Sequence, residues 1–264
     1  MEFWVNVFAI VSLLAIVGYF LYIVYYTLDL FFLNPFQRIP PLTEPEKQLI
    51  QAHFSFYKKL GKRNKSRFEK RVVRFRHRKE IVFHEEVFEQ EKIALLLSAT
   101  AAMLTLGMAD FLILSIKRII VYPRQYYSVI TKNEHYGEYN PGLKILVLSA
   151  EQLLHGFHVP DDNLNLAVHE FAHALSFNVR NKLNSRSFLF LYGMKKMGVL
   201  LRDPKFVEQW EKTKYFREYG RTDIHEFFAV AVEHYIETPS EFKKRFPSLF
   251  STVKLMMNFS FYKI

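Results

Sequence analysis

From Phe3 to Leu28 the sequence carries no charged side chain: FWVNVFAIVSLLAIVGYFLYIVYYTL. No other property of the chain narrows its folding options as far. The run is longer than the ~20 residues that a helix needs to cross a hydrocarbon core. Inside lipid every backbone N–H and C=O must be satisfied within the segment, and a helix does this alone. Trp4 stands near one end, and Tyr19, Tyr22, Tyr25 and Tyr26 crowd the other, as interfacial aromatics do. A cleaved signal peptide would start with a basic segment and end at a small-residue site. Here Met1-Glu2 comes first and aromatics come last. The expectation is an uncleaved transmembrane anchor over residues 1–30. Lys and Arg are absent before the run and follow it at Arg38, Lys47 and from Lys58 onward. That asymmetry points the body of the protein to the cytoplasm.

A second apolar stretch, Ile93 to Met108, is shorter, rich in Ala, Ser and Thr, and interrupted near Gly107 and Asp110. Its length suits a buried core helix better than a second crossing. Pro35, Pro40, Pro41 and Pro45 make residues 31–45 an extended linker. The remainder, 46–264, reads as one domain.

The chain has no cysteine, which excludes disulfides, thiol nucleophiles and thiolate metal sites. Its net charge of +10 is concentrated in Lys58 to Lys79. There Phe68, Val72 and Phe75 recur at helical spacing, so the basic residues form a solvated helix face or meet anionic lipid beside the anchor. No nucleic-acid motif accompanies the charge, and no direct nucleic-acid partner is expected.

Helical patterns cover about 46–57, 64–78, 88–107, 203–216 and 223–237. KRIIVYP reads as a short strand stopped by Pro123, and Ile145 to Leu148 as another. The strand near 144–149 could offer its edge to an extended peptide. The class is therefore α+β, mostly helical with a few short strands. His155 and His158 are assigned to a loop. Asp161, Asp162 and Asn163 are placed as the cap of the next helix.

That next helix contains LNLAVHEFAHALSF, Leu164 to Phe177. Positions i and i+4 share a helix face, so His169 and His173 can aim two imidazoles at one zinc ion, with Glu170 beside them to act on water. Leu164, Val168, Phe171 and Leu175 would form the opposite, core-facing side. The plainer alternative is a structural helix with two hydrogen-bonded histidines. A catalytic zinc usually takes three protein ligands plus a water. Glu226, Glu233, His225 and His234 are all candidates for the third, and spacing does not choose among them. Glu226 also fits a capping box with Asp223, and Glu233 could face solvent.

NLNLAVHEFAHAL together with YGRTDIHEFFAVAVEHYIETPSEFKKRFPSLF, Tyr219 to Phe250, resembles the Mlc titration factor A (MtfA) family of gluzincin-like zinc peptidases. Weaker similarity reaches back to about residue 46. The resemblance implies a zincin-like metallopeptidase domain that cleaves a peptide or protein substrate with one catalytic zinc. It makes His169, His173 and Glu226 the metal ligands, Glu170 the general base towards a zinc-activated water, and Tyr219 an assisting residue. It also implies an alternative, an anti-repressor that sequesters a transcriptional regulator. With the anchor, it implies a single-pass protein of the bacterial inner membrane. One position departs: the family follows HEFAH with Lys-Leu-Asp, whereas this chain has Ala174-Leu175-Ser176. An Asp there could orient a metal ligand, and Ser176 would do so more weakly.

Overall fold

A computed structural model describes residues 2–27, 39–108, 110–179 and 185–260. Residues 31–38 of the stretch assigned as a linker lie outside the described residues, as do residues 28–30 at the end of the expected anchor. Two compact units divide between Pro40 and Pro41. In the first, α1 (Glu2–Thr27) is a 26-residue helix. It is long and apolar enough to cross a membrane. Within it Phe3 meets Trp4 edge-on, and Tyr19 stacks on Tyr22 one turn later.

The second unit is an α+β domain, mostly helical. It opens with α2 (Glu44–His53), whose N-cap Thr43 forms a complete capping box with Glu46: the Thr43 N–H donates to Glu46 Oε2 at 2.7 Å. The single helix expected over 46–57 is two. Phe54 is extended, and α3 (Ser55–Lys59) resumes after it. The break turns Phe56 and Tyr57 inward against Phe68, at ring separations of 5.4 and 5.5 Å. Phe68 lies on α4 (Lys62–Arg78), which buries Phe68, Val72 and Phe75 as its periodicity requires.

Helix α5 (Gln90–Leu104) is the former rival for a membrane crossing, and it lies in the core. Every residue from Leu95 to Leu104 is buried. Ser98 and Thr100 donate to the carbonyls of Ala94 and Leu96. Back-bonding of this kind lets polar side chains enter an apolar interior. Each large side chain buried here stabilises the fold by about 1.5–3 kcal/mol. Buried Arg71 of α4 donates to the Thr105 and Met108 carbonyls just past the end of α5. A cation there adds a donor to carbonyls at the helix end and complements the negative end of the helix dipole.

Four strands form one sheet in the order β1-β2-β6-β5. β1 (Glu80–Phe83), β2 (Arg118–Tyr122) and β6 (Ile145–Ser149) are parallel, while β5 (Gly137–Asn140) runs antiparallel to β6. Ile119 and Val121 pair with Leu146 and Leu148, and all four are buried. β6 is therefore an interior strand and has no free edge. Among the described residues the open edge on that side is β5. A small hairpin joins β3 (Tyr126–Ser128) to β4 (Asn133–His135).

After β6 comes α6 (Ala150–His158), so His155 and His158 are helical rather than in a loop. Then follow α7 (Leu166–Val179), α8 (Ser185–Leu200), α9 (Pro204–Thr213), a 3-10 turn (Glu218–Arg221), α10 (Ile224–Glu237), α11 (Pro239–Arg245) and α12 (Pro247–Met257). Trp210 of α9 is fully buried among Phe206, Phe216 and Phe227, and its indole N–H donates to the Phe216 carbonyl. A Cβ on Gly220 would lie 3.2 Å from the Trp210 ring, so glycine lets the 3-10 turn close on it.

Asn165 starts α7. Its carbonyl accepts the His169 N–H and its Oδ1 accepts the Val168 N–H. The cap is thus two residues later than Asn163; Asp162 instead accepts the Leu164 N–H, and Asn163 has a φ of 58°. Glu237, at the end of α10, ties the two helices together. Its carboxylate accepts from the Asn163 N–H at 2.8 Å and from Asn165 Nδ2 at 3.0 Å. Burial pushes the Glu237 pKa up to about 7, with Asp162 and Glu233 adding to the rise. The native state therefore holds this proton more tightly than the unfolded chain does. Its stabilisation is complete below the ordinary carboxylate range and is lost as pH rises through about 7. Glu237→Gln should remove that dependence. The melting temperature of the wild type relative to the variant should fall between pH 5 and pH 8 on the order of the unfolded and folded pKa values, and a constant difference would contradict the assignment.

Candidate metal centre

His169 and His173 stand one turn apart on α7, with ring centroids 4.8 Å apart. The helix buries Val168, Phe171 and Leu175 on its other side. Leu164, expected with them, is 43% exposed and precedes the helix. The two imidazoles turn Nε2 towards each other at 3.1 Å. Glu226 arrives from α10 and closes a triangle: its Oε2 lies 3.1 Å from His169 Nε2 and its Oε1 3.2 Å from His173 Nε2.

Glu226 is free to do this because Asp223 alone caps α10, accepting the N–H groups of His225 and Glu226 at 2.6 and 3.1 Å. The reciprocal half of a capping box is not made, and the Glu226 side chain turns to the histidines instead. Tyr219, in the 3-10 turn, donates its hydroxyl hydrogen to Glu226 Oε1 at 3.1 Å and is 56% exposed. Its ring thus stands at the solvent side of the cluster.

Among the described residues, one set of three potential ligand groups converges: His169, His173 and Glu226. Two nitrogens and a carboxylate suit zinc and similar divalent ions. A tetrahedral ion with bonds of about 2.0–2.1 Å places its ligand atoms about 3.3 Å apart. The triangle here has sides of 3.1, 3.1 and 3.2 Å. The residues present therefore fit such an ion and leave a fourth direction open.

The other candidates for a third ligand lie elsewhere. The His225 ring stacks on Phe177 with centroids 4.9 Å apart, and its Nδ1 is 2.8 Å from Ser176 Oγ. His234 is enclosed by Tyr215, Phe216 and Phe242. That burial, together with Arg217, lowers its pKa to about 3. Glu233 does not face solvent. It is 1% exposed, with Oε1 3.4 Å from His169 Nδ1 and Oε2 accepting from Arg217. Ser176 donates to the His173 carbonyl at 2.8 Å and contacts His225, so its side chain meets backbone rather than a ligand ring.

The electrostatics follow from this crowding. Burial alone would lower the pKa of His169, but Glu226 and Glu233 push it up to about 10. Burial raises Glu226, yet hydrogen bonds and charge from His169 and His173 hold it well below the carboxylate range. Burial raises the Glu170 carboxyl above its ordinary value; Glu226 and Glu233 add to this, and the two histidines oppose it. Tyr219 is pushed up to about 12 by burial and by Glu226, so its hydroxyl keeps its proton at neutral pH.

Strand β5 passes against Glu170. A Cβ on Gly137 would sit 2.5 Å from Leu166 Cδ1 and 2.9 Å from Glu170 Oε1. Glycine allows this approach without displacing the Leu166 and Glu170 side chains. Gly137 was not legible as a site residue, and Glu233 was legible only as one candidate for the third ligand; Glu226 and Glu233 are two helical turns apart, a spacing that places them on one face. Gly137→Ala should lower unfolding free energy by about 1–3 kcal/mol through overpacking. Denaturant titration measures this, and an unchanged midpoint would mean that β5 does not press on α7.

Residues 36–258 match the model of a family described as glucose-regulated metallo-peptidase M90. No curated protein matches the chain. The match spans both the HEFAH helix and the helix that brings Glu226, and it carries a metal ion and metallopeptidase-type chemistry with it. The chain belongs to the glucose-regulated metallo-peptidase M90 family, the family of MtfA.

Proposed function

We propose that this chain is a membrane-anchored, zinc-dependent peptidase in which His169, His173 and Glu226 hold the ion and Glu170 is the general base. The observation that carries the reading is the 3.1–3.2 Å triangle of those three groups, with a buried carboxyl in the residue next to the first of them. Zinc held there supplies Lewis-acid polarisation and lowers the pKa of water towards ~7.

The protein's own groups do the rest. Glu170 takes a proton from the attacking water and returns it to the leaving amine nitrogen. Its pKa, raised by burial, brings it nearer the working pH of a group that must both accept and release a proton. The Tyr219 hydroxyl, protonated at neutral pH, donates to the oxygen of the substrate carbonyl as charge develops on it. An extended substrate would pair with the open edge of β5, the strand that passes Glu170. Helix α1 supports anchoring, and the Lys/Arg distribution supports a cytoplasmic body in a single-pass inner-membrane protein. On α4 the exposed Lys62, Arg63, Arg67 and Lys70 offer a face to anionic headgroups.

Glu170→Gln should retain zinc at the wild-type stoichiometry and lose peptide hydrolysis by about 10²–10⁴-fold. His169→Ala and Glu226→Ala should lose the metal itself. A Glu170→Gln enzyme that cleaves like the wild type would overturn the mechanism. A C-terminal reporter on the full chain should report cytoplasm, and a signal from the opposite side would reverse the orientation.

A further inference from the structure

Glu233 has no place in the ligand triangle, yet it is the most deeply buried carboxylate next to it. It lies on α10 two turns beyond Glu226 and is 1% exposed. A buried carboxylate is costly unless each oxygen finds a charged or hydrogen-bonding partner. Oε2 of Glu233 has such a partner, and Oε1 faces the buried His169 Nδ1, which has no formed hydrogen bond of its own, at ion-pair distance. Oε1 lies 3.4 Å from His169 Nδ1, the ring nitrogen facing away from the triangle, and Oε2 accepts from Arg217 Nη2.

Arg217 is the residue that enters the 3-10 turn carrying Tyr219. Its carbonyl accepts the Gly220 N–H at 3.0 Å, and the preceding carbonyl, of Phe216, accepts from Trp210. One buried carboxylate therefore touches a ring of the metal helix on one side and the base of the Tyr219 turn on the other.

We propose that Glu233 is a positioning residue. It holds the His169 ring through Nδ1–H, so that the Nε2 lone pair faces Glu226 and His173, and through Arg217 it sets the turn that places Tyr219 over the same site. A carboxylate behind a histidine ligand fixes the tautomer and the ring orientation. Here the same carboxylate also serves the residue at the solvent side. The metal half of this proposal rests on the zinc reading above; the Nδ1–H contact does not.

The test uses the full chain in detergent micelles, with zinc as the probe. In ¹H–¹⁵N spectra of histidine-labelled, metal-free protein, the His169 Nδ1–H, assigned by its disappearance in His169→Ala, should be downfield and slow to exchange. It should be lost in Glu233→Ala. Zinc affinity, measured by chelator competition, should fall ~10–100-fold in Glu233→Ala. Arg217→Met should keep zinc affinity nearer the wild type and lower kcat. Its effect should be non-additive with that of Tyr219→Phe, as coupled sites require.

Thermal melting with excess chelator separates these effects from simple loss of fold. If Glu233→Ala does not fold, Glu233→Gln replaces it in the same measurements. A folded variant that binds zinc within twofold of the wild type and keeps the His169 proton would overturn the proposal while leaving the zinc reading intact. A wild type that binds no zinc but shows the Nδ1–H contact would instead sink the zinc reading and leave the contact standing. Additive kcat effects would remove the link to Tyr219.

Discussion

The packing of α10 against α7 is the contact on which the site depends. The two helices pack on each other through faces that are buried in the domain. Burying those faces is the main driving force that brings the helices together. The polar groups carried beside them, His169 and His173 from α7 and Glu226 and Glu233 from α10, come together as a consequence. Glu237 and Asn165 close the same pair of helices at the start of α7. Two points of attachment, roughly one at each end of the shared surface, leave little freedom for the helices to slide. The spacing of the His169, His173 and Glu226 triangle inherits that rigidity.

Charge is what makes this interface unusual. Glu170, Glu226 and Glu233 crowd around two imidazoles in a region from which water is largely excluded. Like charges brought this close raise one another's pKa, and burial raises them further. The histidines offset part of this, which is why Glu226 is held low while Glu170 is raised. A divalent cation at the triangle would complement the remaining negative charge. The donor set and its distances suit one, and membership of a metallopeptidase family accords with it.

The parts distant from the site are arranged to keep it rigid. β6 lies inside the sheet with β5 on its open side, which puts a strand edge next to Glu170. α5 lies in the core against α4 and α7, and the carbonyls just past its end accept from a buried arginine of α4. The Trp210 cluster fixes the 3-10 turn and therefore Tyr219. At Gly137 and Gly220 a Cβ would come within 2.5 and 3.2 Å of neighbouring side chains, so glycine eases the approach of a strand and a turn there.

Local chemistry was enough to locate much of this in the chain itself. An uncharged run of that length has only a helix open to it. The i, i+4 spacing of His169 and His173 fixes their common face, and Phe68, Val72 and Phe75 mark the buried side of α4, because these are properties of neighbours along one helix. The α+β class follows from the same periodicities. What lies between distant segments was not legible. Whether Glu226, Glu233, His225 or His234 completed the set depended on how α10 is rotated against α7, and no spacing along the chain encodes that rotation. The resemblance pointed to Glu226, and the packing brings that side chain to the histidines. For Glu233 the sequence leaves a ligand role and a solvent-facing one both open, because nothing local reveals a partner fifty or more residues away. The edge strand was misplaced by one position in the sheet for a related reason: β5 is short and only half-buried, so its sequence lacks the apolar alternation that marks a strand. Periodicity reports which face of an element is buried; only the folded chain decides what that face meets.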